Sequence, residues 1–195
     1  YLENFGIKDF KTKLHHNPCL RIVFISFKNT GMKNSPSGQN IGIVKIDNTK
    51  NAYFSLMSGV SISSMDFLSI FGTGNKYLLL IINLIKKYIC INMVFLPSEY
   101  SSSYISNSSI TTKYSTSRLK AFVNTTFKII TSMGKNLFIP IYFQNMPAGS
   151  DMHHGGTFPI GKKLHINVNS NCKLNGHKNL YIIDGSWLKR IPEKP

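Results

Sequence analysis

The apolar residues of this 195-residue chain come in short β-branched or aromatic runs divided by Gly, Pro, Asn and Ser, so few windows are long enough for a helix. Cys19 to Phe27, Ile41 to Ile46, Ile89 to Leu96, Ile110 to Tyr114 and Leu137 to Phe143 read as strands. Asn29 to Asn40 reads as a loop, and the Ser/Tyr/Asn-rich stretch from Pro97 to Ser109 as a surface excursion. From Ser63 to Tyr88 the apolar residues are dense enough for helix, and Gly72-Thr73-Gly74-Asn75 should split that stretch in two. A clearer helix spans Ser117 to Met133. Leu119, Phe122, Val123, Ile130 and Met133 are expected to share its buried face, with Ser117 capping its start and Gly134 its end. Strands and helices follow one another without a regular βαβ alternation, so the expected class is α+β, a mixed sheet with covering helices.

Charge narrows the partners. The chain holds 23 Lys and Arg against 8 Asp and Glu, a net charge of +15, which makes nucleic acid or an anionic membrane surface the first partners to weigh. The lysines are scattered singly or in pairs, Arg occurs only at Arg21, Arg118 and Arg190, and neither a zinc-finger spacing nor an RNP-like segment is present. Nucleic acid is therefore not the expected partner. The most apolar stretch, Tyr77 to Leu96, is interrupted by Asn83, Lys86, Lys87 and Asn92, short of the roughly 20 residues a membrane span requires, so no transmembrane segment is expected. The first residues show no basic segment leading into an apolar one. Cys19, Cys90 and Cys172 are far apart and odd in number, which suits free thiols and favours the cytoplasm. The chain opens at Tyr1 and closes on a Pro-rich turn at Pro195, and both ends read as cut points.

Chemistry concentrates in the last quarter. Met146 to Gly161 packs His153 and His154 among four glycines and two prolines, a composition that lets backbone pass close to a ligand. Further on, the apolar run Leu180 to Ile183 reads as a strand delivering Asp184-Gly185-Ser186 at its carboxyl end, where α/β sheets bind ligands. His165 and His177 read as surface side chains. His153, His154, His165, Cys172 and His177 match no familiar zinc spacing, so no metal is expected. No G-x-G-x-x-G fingerprint occurs, since Gly72-Thr73-Gly74 lacks its third glycine.

The run His153-His154-Gly155-Gly156-Thr157, followed by Asn179-Leu180-Tyr181-Ile182-Ile183-Asp184-Gly185-Ser186-Trp187-Leu188 and Ile191-Pro192, resembles the C-terminal signature of the glucose-methanol-choline (GMC) oxidoreductases. In that family an H-x-x-G-T segment precedes a strand reading N-L-x-V-x-D-x-S and a turn ending in I-P. The resemblance implies FAD-dependent oxidation of an alcohol, possibly a sugar or polyol, with hydride passing to the flavin N5 while a histidine takes the hydroxyl proton. It makes His153 the general base, puts His154 at the substrate, and gives Asp184 and Gly185 to the flavin. It also implies a substrate-binding domain over residues 1–145 and, over residues 146–195, a returning segment of an FAD-binding domain. The dinucleotide-binding half would lie upstream of Tyr1, and the second catalytic His or Asn at or beyond Pro195. A chain of this extent would neither hold FAD tightly nor turn over alone. Phe158-Pro159-Ile160 stands where the family commonly has C-R-M, and Lys189-Arg190 where a Pro is common.

The rival reading is a basic binding module whose Gly/His loop holds an anionic partner such as nucleic acid. The enzyme reading expects the loop from His153 to Gly161 to sit against Asp184, with His153 facing a cleft. The rival expects a contiguous cationic surface with His153 peripheral.

Overall fold

A computed structural model describes residues 11–28, 39–48, 50–70, 77–106, 109–114, 116–135, 137–147, 154–164 and 166–188. In chain order the elements are β1 (Lys11–His16), β2 (Cys19–Ser26), β3 (Gln39–Lys45), β4 (Asn51–Ser58), α1 (Ser64–Ile70), α2 (Leu78–Ile85), β5 (Ile89–Phe95), β6 (Ser101–Ser106), β7 (Ile110–Tyr114), α3 (Thr116–Gly134), β8 (Phe138–Asn145) and β9 (His154–Gly155). The fold is α+β, with two antiparallel sheets and few helices. The chain forms two compact units, one made of Tyr1–Cys19, Phe95–Ala121 and Pro147–Pro195, the other of Leu20–Val94 and Phe122–Met146.

The second unit is built on a five-stranded sheet in the order β3-β4-β5-β2-β8. Its central strand β5 buries Ile89, Cys90, Ile91, Asn92 and Val94, the near-continuous apolar pattern of a strand covered on both faces. β8 lies at the edge, the position that tolerates Pro140, and its register with β2 shifts between Val23 and Phe24. Val23, Leu68, Ile70, Ile82, Ile89 and Ile91 form one core cluster, with Ile62 and Tyr142 packed against it. Ser63 starts α1 by accepting the backbone N–H of Asp66 at 3.1 Å. α2 contributes Ile82 to that cluster, while Leu80, Ile81 and Leu84 on the same helix are exposed. Gly72 to Asn75, the expected break between the two helices, lies outside the described residues, as does most of the Asn29 to Asn40 loop.

α3 corrects the expected helix face. Arg118, Ala121, Phe122, Thr125 and Ile129 are buried, whereas Leu119, Val123 and Phe127 are exposed. The helix begins at Thr116, which puts Ser117 in its first turn instead of at the cap. Lys128 Nζ donates to the carbonyl oxygen of Lys45 at 2.6 Å.

The first unit holds a four-stranded sheet in the order β7-β6-β1-β9. Here the Ser-rich stretch after Pro97 is a central strand, not a surface excursion: β6 pairs with both β1 and β7, and Ser101 and Ser103 are buried. Small hydroxyls can be buried because they find partners. Ser101 Oγ donates to the carbonyl oxygens of His16 at 2.9 Å and Ser98 at 3.0 Å, and the Ser103 and Thr112 hydroxyls lie 2.9 Å apart.

The expected strand at Leu180 to Ile183 is instead one arm of an irregular hairpin with a single bridge, Lys173 to Tyr181. Leu174 N–H donates to Leu180 O and Ile182 N–H to Cys172 O, each at 2.8 Å. Leu180 and Ile182 pack on buried Val168 and Leu174, together with Ile105, Phe158, Ile160 and Trp187. No disulfide forms among the described residues; Cys19 and Cys90 are buried and Cys172 is half-buried. Among the described residues no helix is long and apolar enough to cross a membrane.

Candidate functional site

β1 and β9 pair antiparallel, setting His15 opposite Gly155 and His16 opposite His154. After this two-residue strand the chain turns through Gly156 at φ +77°, a left-handed conformation that suits glycine. Gly156 N–H then donates to Gly185 O at 3.2 Å, and Phe158 N–H to Ser186 O at 2.8 Å. The glycine strip and the Asp-Gly-Ser turn, nearly 30 positions apart in the sequence, are thus joined backbone to backbone.

The turn is closed from both sides. Gly185–Trp187 is one turn of 3-10 helix whose cap is Asp184, with its Oδ1 accepting the N–H of Ser186 at 2.9 Å. Hydrogen bonding from Ser186, its hydroxyl first and its backbone N–H second, holds the exposed Asp184 carboxyl below the usual carboxylate range. Leu188 N–H returns to Gly185 O at 3.2 Å. The Phe158 and Trp187 side chains, one from each motif, pack on the same Val168 and Leu174 cluster.

The loop that follows the glycine strip is held by asparagine side chains. Asn167 Nδ2 donates to Pro159 O at 2.6 Å and its Oδ1 accepts Lys163 N–H at 3.1 Å, while Asn175 Nδ2 donates to Gly161 O at 2.9 Å. These bonds add to the single backbone bridge between Ile160 and Val168.

The structure therefore brings Gly155, Gly156, Asp184 and Gly185 to one junction. His153 lies outside the described residues, as do His165 and the side chain of His154, whose backbone is fixed in β9. His177 is half-buried in the hairpin, where its N–H donates to Leu174 O at 3.2 Å. Among the described residues no three His, Cys, Asp or Glu side chains gather in a way that could hold a metal ion.

Sequence reasoning passed over His15. Its ring lies against Gly156, so that a Cβ on Gly156 would collide with it. The enclosed Nδ1 has no hydrogen-bond partner among the described residues. Burial, and after it the charge of Lys13, holds the His15 imidazole below its ordinary value; Glu99 opposes this and His16 adds to it. The available signal was the pair His15-His16 itself, and nothing local in the sequence ties it to a glycine 141 positions on.

No family model and no curated protein matches the chain.

Proposed function

We propose that this chain is part of a GMC-type, FAD-dependent oxidoreductase acting on CH–OH groups, with a small alcohol, possibly a sugar or polyol, as substrate. What carries the reading is the junction of the two motifs that bear the resemblance, through Gly156 to Gly185 and Phe158 to Ser186. The joining leaves Gly155 and Gly156 next to the half-exposed turn Gly185–Trp187.

FAD suits the residues at that turn. Asp184 is exposed, and its carboxylate, which accepts from Ser186, keeps lone pairs for a donor on the cofactor. Gly185 adds backbone without a side chain. When bound, the flavin supplies a hydride acceptor. The roles of the chain's own residues are then distinct. His153 takes the hydroxyl proton and His154 orients the alcohol. The sequence has no G-x-G-x-x-G segment, so the dinucleotide-binding half of such an enzyme is not among these residues.

The test is expression of the complete reading frame that contains this chain. A purified protein with a flavin spectrum that bleaches on addition of an alcohol supports the reading, and His153→Ala should then lower kcat by about 10² to 10⁴ with flavin content unchanged. A colourless protein refutes it, and equal loss of flavin and turnover in the variant would make His153 structural.

A further inference from the structure

Asn83 is the one polar residue of α2, yet the chain covers only one side of this helix. Ile82 enters the core cluster with Leu68, Ile70, Val23, Ile89 and Ile91. Tyr77, just before the helix, and Leu80, Ile81 and Leu84 are 87%, 75%, 54% and 70% exposed. Positions three and four apart share a helix face, so these four form one outward stripe. A helix that is apolar all round belongs in a protein core or against lipid. The stripe also runs into cations. The 3-10 turn Lys86–Tyr88 follows α2 directly, and the exposed Lys87, three positions after Leu84, continues the line of the stripe. Its Nζ stands 5.2 Å from the centre of the Tyr88 ring. In the sequence the stripe is bracketed by Lys76 and by Lys86-Lys87, with a tyrosine at each end. Between Asp47 and Glu99 there is one acid, Asp66, and it is occupied at the start of α1, where it accepts the Ser63 hydroxyl at 2.5 Å.

We propose that this stripe docks the chain on an anionic lipid bilayer, with α2 lying in the plane of the interface, Leu80, Ile81 and Leu84 among the acyl chains and Lys87 at the headgroups. Helices of this kind sink about 5 to 10 Å into the boundary between headgroup and acyl chain, and tyrosines at their ends sit at headgroup level. The eight residues of α2 are too few to span, so the helix lies on the membrane and does not cross it. Charge decides the occupant. A second copy of the chain would bring another +15 up to the same cations. An anionic bilayer offers apolar carbon and a plane of negative charge in one surface, and it attracts the whole basic chain as well as the lysine at the end of the stripe. The proposal stands independently of the flavoenzyme reading, because it uses no residue of the junction between Gly156 and Gly185.

The test is flotation of the 195-residue chain with vesicles of phosphatidylcholine and phosphatidylserine in equal parts, and with vesicles of phosphatidylcholine alone. Expected is flotation with the mixed vesicles that weakens as salt rises and is much weaker with phosphatidylcholine alone. Binding to the mixed vesicles should fall about fivefold in Lys87→Gln and by about tenfold or more in Leu84→Gln. Phe127→Gln, an equally exposed apolar change on α3, should float as the parent does. No flotation, equal flotation with phosphatidylcholine alone, or flotation undiminished by Leu84→Gln would overturn the proposal. So would a parent that sediments as a dimer without floating and becomes a monomer in Leu84→Gln, which would give the stripe to a second copy. Should Leu84→Gln lose its native spectrum, the exposed Leu80→Gln takes its place with the same expectation.

Discussion

The imidazole of His15 fills the space that a side chain at position 156 would need. β1 is thereby matched to a glycine at the turn after β9, and the match is steric as well as conformational, since Gly156 also sits at φ +77°.

Gly156→Ala should consequently cost about 2–4 kcal/mol of unfolding free energy, the sum of left-handed strain and displacement of the His15 ring. Gly134→Ala is the contrast. It ends α3 with nothing within 4 Å of an added Cβ, and should gain about 0.4–1 kcal/mol. Chemical denaturation of both variants checks the pair, and equal midpoints would mean that the contact between His15 and Gly156 is absent.

Acid should loosen the same region before acid denaturation proper. The folded-state pKa of His15 lies below its unfolded value of 6.5, so the unfolded chain takes up the proton first. The stability associated with His15 is intact above pH 6.5 and is lost as pH falls from there through the folded value. In His15→Gln that part of the profile should flatten, which urea midpoints measured between pH 7.5 and 5 would reveal. Asp184 acts at lower pH with the same sign: its contribution is present above 3.8 and declines as pH falls below it.

Thr125 and Asn92 are fully buried, and the Thr125 hydroxyl and both polar atoms of the Asn92 amide lack hydrogen-bond partners among the described residues. Thr125→Val keeps the shape and removes the unsatisfied hydroxyl, and should raise stability by about 1–3 kcal/mol. A loss of stability in thermal melts of this variant would show that the hydroxyl is satisfied in solution.

On α3, Phe122→Ala should cost about 3–5 kcal/mol and Phe127→Ala no more than about 0.5. The two side chains differ in exposure, 6% against 70%. Similar losses in the two variants would contradict the observed helix phase.

The contrast on α3 also marks how far sequence alone could reach. β2, β3, β5, β7 and β8 were legible because β-branched and aromatic runs leave little choice but a strand. The length of α3 was legible from its turn signals. Its phase was not, because Leu119, Val123 and Phe127 recur at helical spacing on the exposed side while the buried side includes Arg118 and Thr125. β1 and β6 were invisible for a related reason: Lys-Thr-Lys and Ser-Ser-Ser carry no apolar alternation, and the burial of Ser101 and Ser103 depends on the His16 carbonyl and the Thr112 hydroxyl, which neighbouring strands supply. Leu180 to Ile183 alternates as a strand should, with Leu180 and Ile182 inward and Tyr181 and Ile183 exposed, yet its partner arm is too short and turn-bound to form a ladder. At the site, the Gly-Gly strip and the Asp-Gly-Ser turn announced themselves by composition. His15 did not, since its place is fixed by a strand register that no local pattern encodes.

The three thiols differ enough in surroundings to be told apart by a reagent. Cys19 and Cys90 are closed off in strands, whereas Cys172, at φ 60°, stands half-open in the hairpin whose other arm leads to Asp184. A maleimide dye added to the folded chain should couple at Cys172 alone, with no cysteine replaced, and its emission would report on the arm that carries the turn.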